Sequence, residues 1–291
     1  MAAQSASRQN QNAAVAARVR GDFAFRGLVL FLSLLATLPL LLILVFIIVR
    51  GASSINWQFI TELPRPMGET GGGISNAIVG TLILVLIATV VSVPLGVIAG
   101  IFLSERGSSR LGTVARISVE TLMGVPSIVL GIVAYVWIVR PMGHFSALSG
   151  GLSLAMIMLP VITLSTEETL LMIPLSLREA SLALGVSYTR TILRVVLPAG
   201  MSGIVTGVLL AVARAAGETA PLLFTSFGSP FMTANILKPM EALPHTIFYY
   251  ATSPYPEWQT LAWGASFVLL VIILTLNVVT KLVTSRWKIQ F

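Results

Sequence analysis

NAIVGTLILVLIATVVSVPLGVIAGIFL, residues 76–103, contains no Asp, Glu, Lys, Arg or His. A helix needs about 20 predominantly apolar residues to cross a hydrocarbon core of about 30 Å, and this run is longer. Uncharged apolar runs also occupy 27–49, 121–139 and 152–166, the last reaching back to Pro141. A fifth, 199–224, is interrupted by Arg214 and Glu218, and a sixth covers 258–280. The expected fold is therefore all-α, a polytopic membrane protein of six transmembrane helices with both termini on one side.

The composition excludes the main alternatives. Of 291 residues, 56% are hydrophobic and 10% charged, whereas soluble domains carry about 25% charged residues. A large soluble protein could not bury that much apolar surface with so few charges. The net charge of +7 is spread singly along an apolar chain, which fits basic membrane loops rather than a nucleic-acid surface. The absence of cysteine removes disulfides, thiolate metal sites and cysteine nucleophiles together. The first apolar run is too long for a signal-peptide core and reads as a retained span.

Cytoplasmic loops collect Lys and Arg, and the six-span topology separates them clearly. One side receives Arg8, Arg18, Arg20, Arg26, Arg106, Arg110, Arg116, Arg178, Arg190, Arg194, Lys281, Arg286 and Lys288; the other has Arg50, Arg65, Arg140 and Lys238. Both termini are thus expected in the cytoplasm of a multi-pass bacterial inner-membrane protein. The Ala/Gln/Ser/Asn-rich residues 1–26 are expected to be a flexible cytoplasmic tail, followed by the first span, 27–49. Gly- and Pro-rich outer loops follow at 50–75 and 225–257, with room for short interfacial helices. A short cytoplasmic tail occupies 284–291.

The inner segment 174–198 reads PLSLREASLALGVSYTRTILRVVLP. Ser176 and Glu179 have the spacing of a capping box. Leu177, Ala180, Ser181 and Leu184 recur at helical intervals. Gly185 is placed to end that first helix, and Pro198 marks entry to the next span. A helix–turn–helix with small residues at its tip is predicted; a helix resting on lipid headgroups is the plainer alternative.

Glu179-Ala180, Gly185 and Leu197-Pro198 resemble the EAA loop of ABC importer permeases. The resemblance implies that Arg178, Glu179, Ala180, Ser181, Leu184 and Gly185 form a coupling helix docking into a separate ATPase. Ser181 stands where the family more often has Ala. A phosphate-cradling Walker loop needs Gly-x-x-x-x-Gly-Lys-[Ser/Thr], and the three lysines, Lys238, Lys281 and Lys288, all lack a preceding Gly. No cofactor is expected in this chain; ATP and Mg would be bound by the partner ATPase.

In the fifth run, Arg214 would cost at least about 2.5–3.5 kcal/mol at mid-span unless paired or wetted. Glu218 lies at i+4, on the same helix face. One reading is a mutually neutralising pair pinning two helices. The other makes Arg214, Glu218 and Thr219 line the substrate pathway, with the guanidinium fork matched to an oxyanion. Glu218 would then either accept a hydrogen bond from protonated phosphate or lock Arg214 in the resting state.

Arg214 with Gly217-Glu218-Thr219-Ala220-Pro221 resembles the phosphate-specific transport family of importer permeases. Gly124-Val-Pro126-Ser127, continuing to Gly131, and Leu159-Pro-Val-Ile-Thr163 agree with it, and residues 219–225 favour its A-type (PstA-like) branch. The resemblance implies a type I importer (MetI-like) fold, with residues 76–283 as a five-helix permease core. It also implies partners: a related permease subunit (PstC-like), two ATPase subunits (PstB-like), a periplasmic phosphate-binding protein (PstS-like), and inorganic phosphate as cargo. Gly124, Pro126, Ser127 and Gly131 read as a helix-packing motif, since small residues allow close approach in membranes. Pro126 and Pro160 free backbone carbonyls that protein or water must satisfy.

Glu120 is expected to pair with Arg116 one turn earlier, and Glu167 and Glu168 to lie near the coupling loop, solvated or touching the ATPase or a loop arginine such as Arg178. Rival functions are a membrane enzyme, a proton-coupled carrier and an importer of sulfate or molybdate. His144 and His245 sit in separate outer segments without an HExxH context, and Glu218 has no second acid beside it in its span. Neither catalytic nor metal-ligating residues are expected. A proton-driven carrier has no use for an ATPase-docking loop, and the span-five signature favours phosphate over other oxyanions.

Overall fold

A computed structural model describes residues 2–69 and 71–286, and the chain divides into two units, Met1–Arg50 and Gly51–Phe291. The first unit is carried by α1, Ala2–Ala52. The tail expected to be flexible is helical from Ala2 onward. Its Ala-, Gln- and Arg-rich composition favours helix, and extending an existing helix costs far less than nucleating one. Beyond Gly27 its apolar side chains are exposed on every face, among them Leu30, Leu34 and Val49. A helix hydrophobic all round is suited to lipid.

In the second unit, α2 (Trp57–Thr61) precedes α3 (Ser75–Arg106), whose two faces show how the membrane inverts the usual pattern. Small and polar positions Gly80, Thr81, Ala88, Ser92, Gly96 and Gly100 are buried, while Leu82, Leu86, Val90 and Ile98 point outward. Lipid tails offer no hydrophobic reason for leucines to turn inward, so close helix packing selects small residues. The buried face packs along α7 (Ala147–Leu171). A Cβ at Gly100 would come within 2.5 Å of Thr166 Cβ, and one at Gly96 within 2.8 Å of Ile162. Leu84, Leu154, Met158 and Ile162 fill the core around this contact.

Between them lie α4 (Arg110–Gly124) and α5 (Ser127–Ala134), the latter continued by a π-turn at Tyr135–Val139 and by α6 (Arg140–Met142). The third run is not straight: the two halves meet at 106°. After α7 come α8 (Leu175–Ala183) and α9 (Tyr188–Thr191). From α9 the chain runs through a π-turn, Ile192–Val196, into α10 (Leu197–Ala216). Pro198 was expected to mark a boundary. It stands instead inside a continuous helical run, Tyr188–Ala216, because the widened turn before it accommodates a residue with no N–H to donate.

α11 (Ala220–Leu223), α12 (Leu243–Ala251) and α13 (Pro256–Arg286) complete the fold. Among the described residues, five helices are long and apolar enough to cross a bilayer, six if the bent pair crosses as one. Among the described residues the only β-pairing is an isolated bridge, Phe227 with Met240. The short helices α2 and α12 lie in the two long loops 50–75 and 225–257, and Tyr250 stacks on Trp258 at 4.7 Å. Burial, with the charge of Glu241 adding to it, pushes the Tyr250 phenol up to about 12. Residues 287–291 of the C-terminal tail lie outside the described residues.

Candidate substrate cleft and docking loop

The bend between α4 and α5 is written in Gly124-Val125-Pro126. Pro126 supplies no N–H, and a residue before proline avoids the helical region; Val125 accordingly sits at φ −73°, ψ 130°. Helix resumes at Ser127, with Val129 N donating to Pro126 O at 2.9 Å. The expected packing motif divides. Gly131 packs tightly, a Cβ there falling 2.7 Å from Pro221 Cα. Gly124 has nothing within 4 Å of such a Cβ, so its place is the break rather than a helix contact. Pro126 is exposed and Ser127 half-buried beside it.

The fifth run is broken too. α10 stops at Ala216, with Gly217 as its cap, and Pro221 opens the next short turn. Arg214 therefore stands in the last turn of a helix, not in a helix interior, and its charge complements the carbonyl end of the helix dipole. Its Nε lies 3.7 Å from Glu218 Oε1. That is an ion pair but too long for a hydrogen bond. The Arg214 side chain is 55% exposed and that of Glu218 17%.

Arg214 contributes the one charged side chain in the walls of a cleft whose other sides are Leu122, Val125, Ser127, Pro160 and Val161. The break between α4 and α5, through Val125 and Ser127, and Pro160 within α7 thus border the same cleft as the guanidinium. Thr219 does not line this cleft. It lies one turn on, half-buried, its carbonyl accepting from Leu222 N at 3.1 Å.

The loop expected to dock an ATPase, 174–198, has the predicted shape with different internal bonds. Pro174, φ −56°, starts α8 without a side-chain cap, so the box between Ser176 and Glu179 is not formed. Gly185 ends the helix at φ +77°, a left-handed turn that favours glycine. Glu179, Ala180, Leu184 and Gly185 lie exposed. Leu184 is 84% exposed, Met172 77% and Leu175 70%, giving the loop an uncovered apolar face. Arg178 and Ser181 are not on it. Ser181 Oγ meets Thr191 Oγ1 at 2.9 Å, tying α8 to α9. Arg178 turns inward, Nη1 to Glu105 Oε1 at 2.5 Å and Nη2 to Leu170 O at 3.1 Å.

The acids near this loop also depart from expectation. Arg116 donates to Glu167, whose side chain is 4% exposed, and not to the exposed Glu120. Neither Glu167 nor Glu168 serves Arg178; Glu105, at the end of α3, does. Sequence reasoning passed over Glu105 because it closes an apolar run beside Arg106. Its signal was the need of Arg178 for a counter-charge.

The description "Binding-protein-dependent transport system inner membrane component" fits residues 92–289 as a family. The "Phosphate transport system permease protein PstA" of Yersinia pestis is 42% identical over 250 residues, 86% of this chain and 85% of that protein. Its namesake from Haemophilus influenzae is 38% identical, covering 84% of this chain and 87% of that one. A "Probable phosphate transport system permease protein PstA" from Methanocaldococcus jannaschii is 37% identical, covering 90% and 92%. An inward-facing structure of the MetNI methionine ABC transporter superposes with a TM-score of 0.59 at 17% identity, covering 74% of this chain and 94% of that one. That likeness concerns the fold alone. With the family match covering most of the core, and relatives of this similarity covering most of the chain, the protein belongs to the inner-membrane components of binding-protein-dependent transport systems.

Proposed function

We propose that this chain is the PstA-type permease subunit of an ATP-driven phosphate importer. The observation that carries the reading is Arg214, the one charged side chain lining an otherwise uncharged cleft, in a chain 42% identical to a phosphate permease. A guanidinium offers a planar fork of donors matched to phosphate oxygens. Its ion pair with Glu218 is loose enough to be exchanged for an anion. The carboxylate also suits a cargo that still carries protons, because a protonated phosphate can donate to it and sulfate cannot.

A binding protein delivers the anion to the outer loops, and a separate ATPase hydrolyses ATP. A related permease subunit of the PstC type supplies the other half of the pore, with PstB-type ATPases and a PstS-type binding protein. Both termini share the cytoplasmic side with the docking loop, following the excess of Lys and Arg there. The exposed face of Ala180, Leu184, Met172 and Leu175 is the surface an ATPase would cover. The chain itself performs no hydrolysis and needs no cofactor.

The test is phosphate uptake in cells lacking this chain. Reintroduced wild type restores uptake, and Arg214→Ala does not, at equal membrane abundance. Full uptake with Arg214→Ala would refute the anion role. Glu218→Gln separates the two roles for that carboxylate: altered preference for phosphate over sulfate marks direct contact, and unchanged preference with slower turnover marks a lock on Arg214. Ala180→Glu places a charge on the docking face and should cost uptake at least about tenfold, since burying an unpaired charge is strongly unfavourable.

A further inference from the structure

One carboxylate ties the docking loop to α3. Glu105, its side chain 10% exposed, receives the Arg178 guanidinium from α8 at 2.5 Å and the Tyr188 hydroxyl from the first residue of α9. These donors stand on opposite sides of the Gly185 turn. Both helices of the loop therefore converge on the last turn of α3. Arg178 also reaches the carbonyl of Leu170 in α7, so the same guanidinium spans the root of the loop.

The far end of α3 is tied as firmly. Asn76 Nδ2 donates to Ser229 O at 2.8 Å, and the Thr81 hydroxyl accepts from Leu243 N at 2.8 Å where α12 begins. Between these ends α3 is an unbroken helix of 32 residues, about 48 Å at 1.5 Å per residue. Gly96 and Gly100 pack closely on α7, and Gly80 packs on Met240 and Glu241. This gives a displacement entering at Glu105 a continuous helical path, through the turn that holds Pro94, to the segment 229–243.

From this geometry we infer that Glu105 is a positioning residue for energy coupling, making α3 the strut between the docking loop and the outer loop that meets the binding protein. The inference rests on the ATPase-docking reading above. A tether that served stability alone would, when cut, lower the amount of folded protein. A tether that carries work would leave hydrolysis running and lower the phosphate moved per ATP.

The experiment uses the full assembly with its ATPase and binding protein in proteoliposomes, counting phosphate imported and ATP consumed together. Glu105→Gln keeps the shape and removes the charge. It should retain the ATPase and hydrolyse ATP while importing about fivefold less phosphate per ATP, the lower range of typical coupling energies. Tyr188→Phe, which removes only one hydroxyl, should lower the same ratio by a smaller factor. The exchange Glu105→Arg with Arg178→Glu should recover part of the loss seen with Glu105→Arg alone. A wild-type ratio in both Glu105→Gln and Tyr188→Phe would overturn the proposal, as would a loss confined to protein abundance. Failure of the wild-type chain to retain the ATPase would instead strike the docking reading.

Discussion

The chain holds its charges in two ways. At the docking-loop end, Glu105 and Glu167 are sunk to 10% and 4% side-chain exposure, and each is gripped by an arginine. At the cleft, Arg214 is 55% exposed and 3.7 Å from its acid. Carboxylates buried in low-polarity surroundings need close, hydrogen-bonded partners, and breaking such a pair is costly. A pair left half-exposed and beyond hydrogen-bonding distance contributes little to stability. The contrast sets these buried structural charges apart from Arg214, the charge proposed to receive the anion.

Substitutions should therefore separate transport from stability. Arg214→Ala has the largest expected effect on transport, a fall in uptake of about tenfold or more, equivalent to losing charge-assisted hydrogen bonds of about 1.5–3 kcal/mol. Thermal unfolding of the purified protein should barely change. An equal loss of stability would make Arg214 one more structural charge and erase the distinction. Arg214→Lys should lie between, keeping the charge and losing the fork.

Glu167→Ala should show the reverse pattern. It strands Arg116, although at 39% side-chain exposure that guanidinium can still reach water. A loss of about 1–3 kcal/mol is expected, below the full cost of breaking a buried pair, read as a lower melting temperature in detergent. Uptake per folded molecule should be close to wild type. The smallest effect belongs to Glu120→Gln. Glu120 is exposed and Arg116 is engaged by Glu167, so stability should shift by no more than about 0.5 kcal/mol. A larger shift would mean that Arg116 divides its charge between the two acids.

How far the sequence could be read follows the same division. Apolar run lengths located the crossing helices, because span length is set by the bilayer rather than by tertiary detail. Gly185 as the turn of the docking loop was legible for a local reason: a left-handed residue there favours glycine. The breaks were only half legible. Pro126 pointed to freed backbone carbonyls, while Gly217-Pro221 was read as a signature and not as a helix break, and a 106° bend depends on what packs beside it. Pro198 sent a false signal, since a π-turn absorbed it.

Ion-pair partners were the least legible feature. Arg116 prefers Glu167, fifty-one positions away, over Glu120 one turn away, and Arg178 finds Glu105 across a separation of seventy-three. Helical spacing identifies neighbours on one helix and is silent about neighbours on another. Arg214 with Glu218 was found because its partner happens to be local. Arg178 and Ser181 were assigned to the docking face because sequence spacing does not say which side of a short helix its parent helices will cover.

The central claim is that Arg214 is an anion stop rather than a structural charge. It is tested most directly by measuring labelled phosphate uptake and ATP hydrolysis in the same proteoliposomes, with the complete assembly carrying wild-type chain or Arg214→Ala. The variant assembly should hydrolyse ATP and import little phosphate. Phosphate import at the wild-type rate by the Arg214→Ala assembly would contradict it.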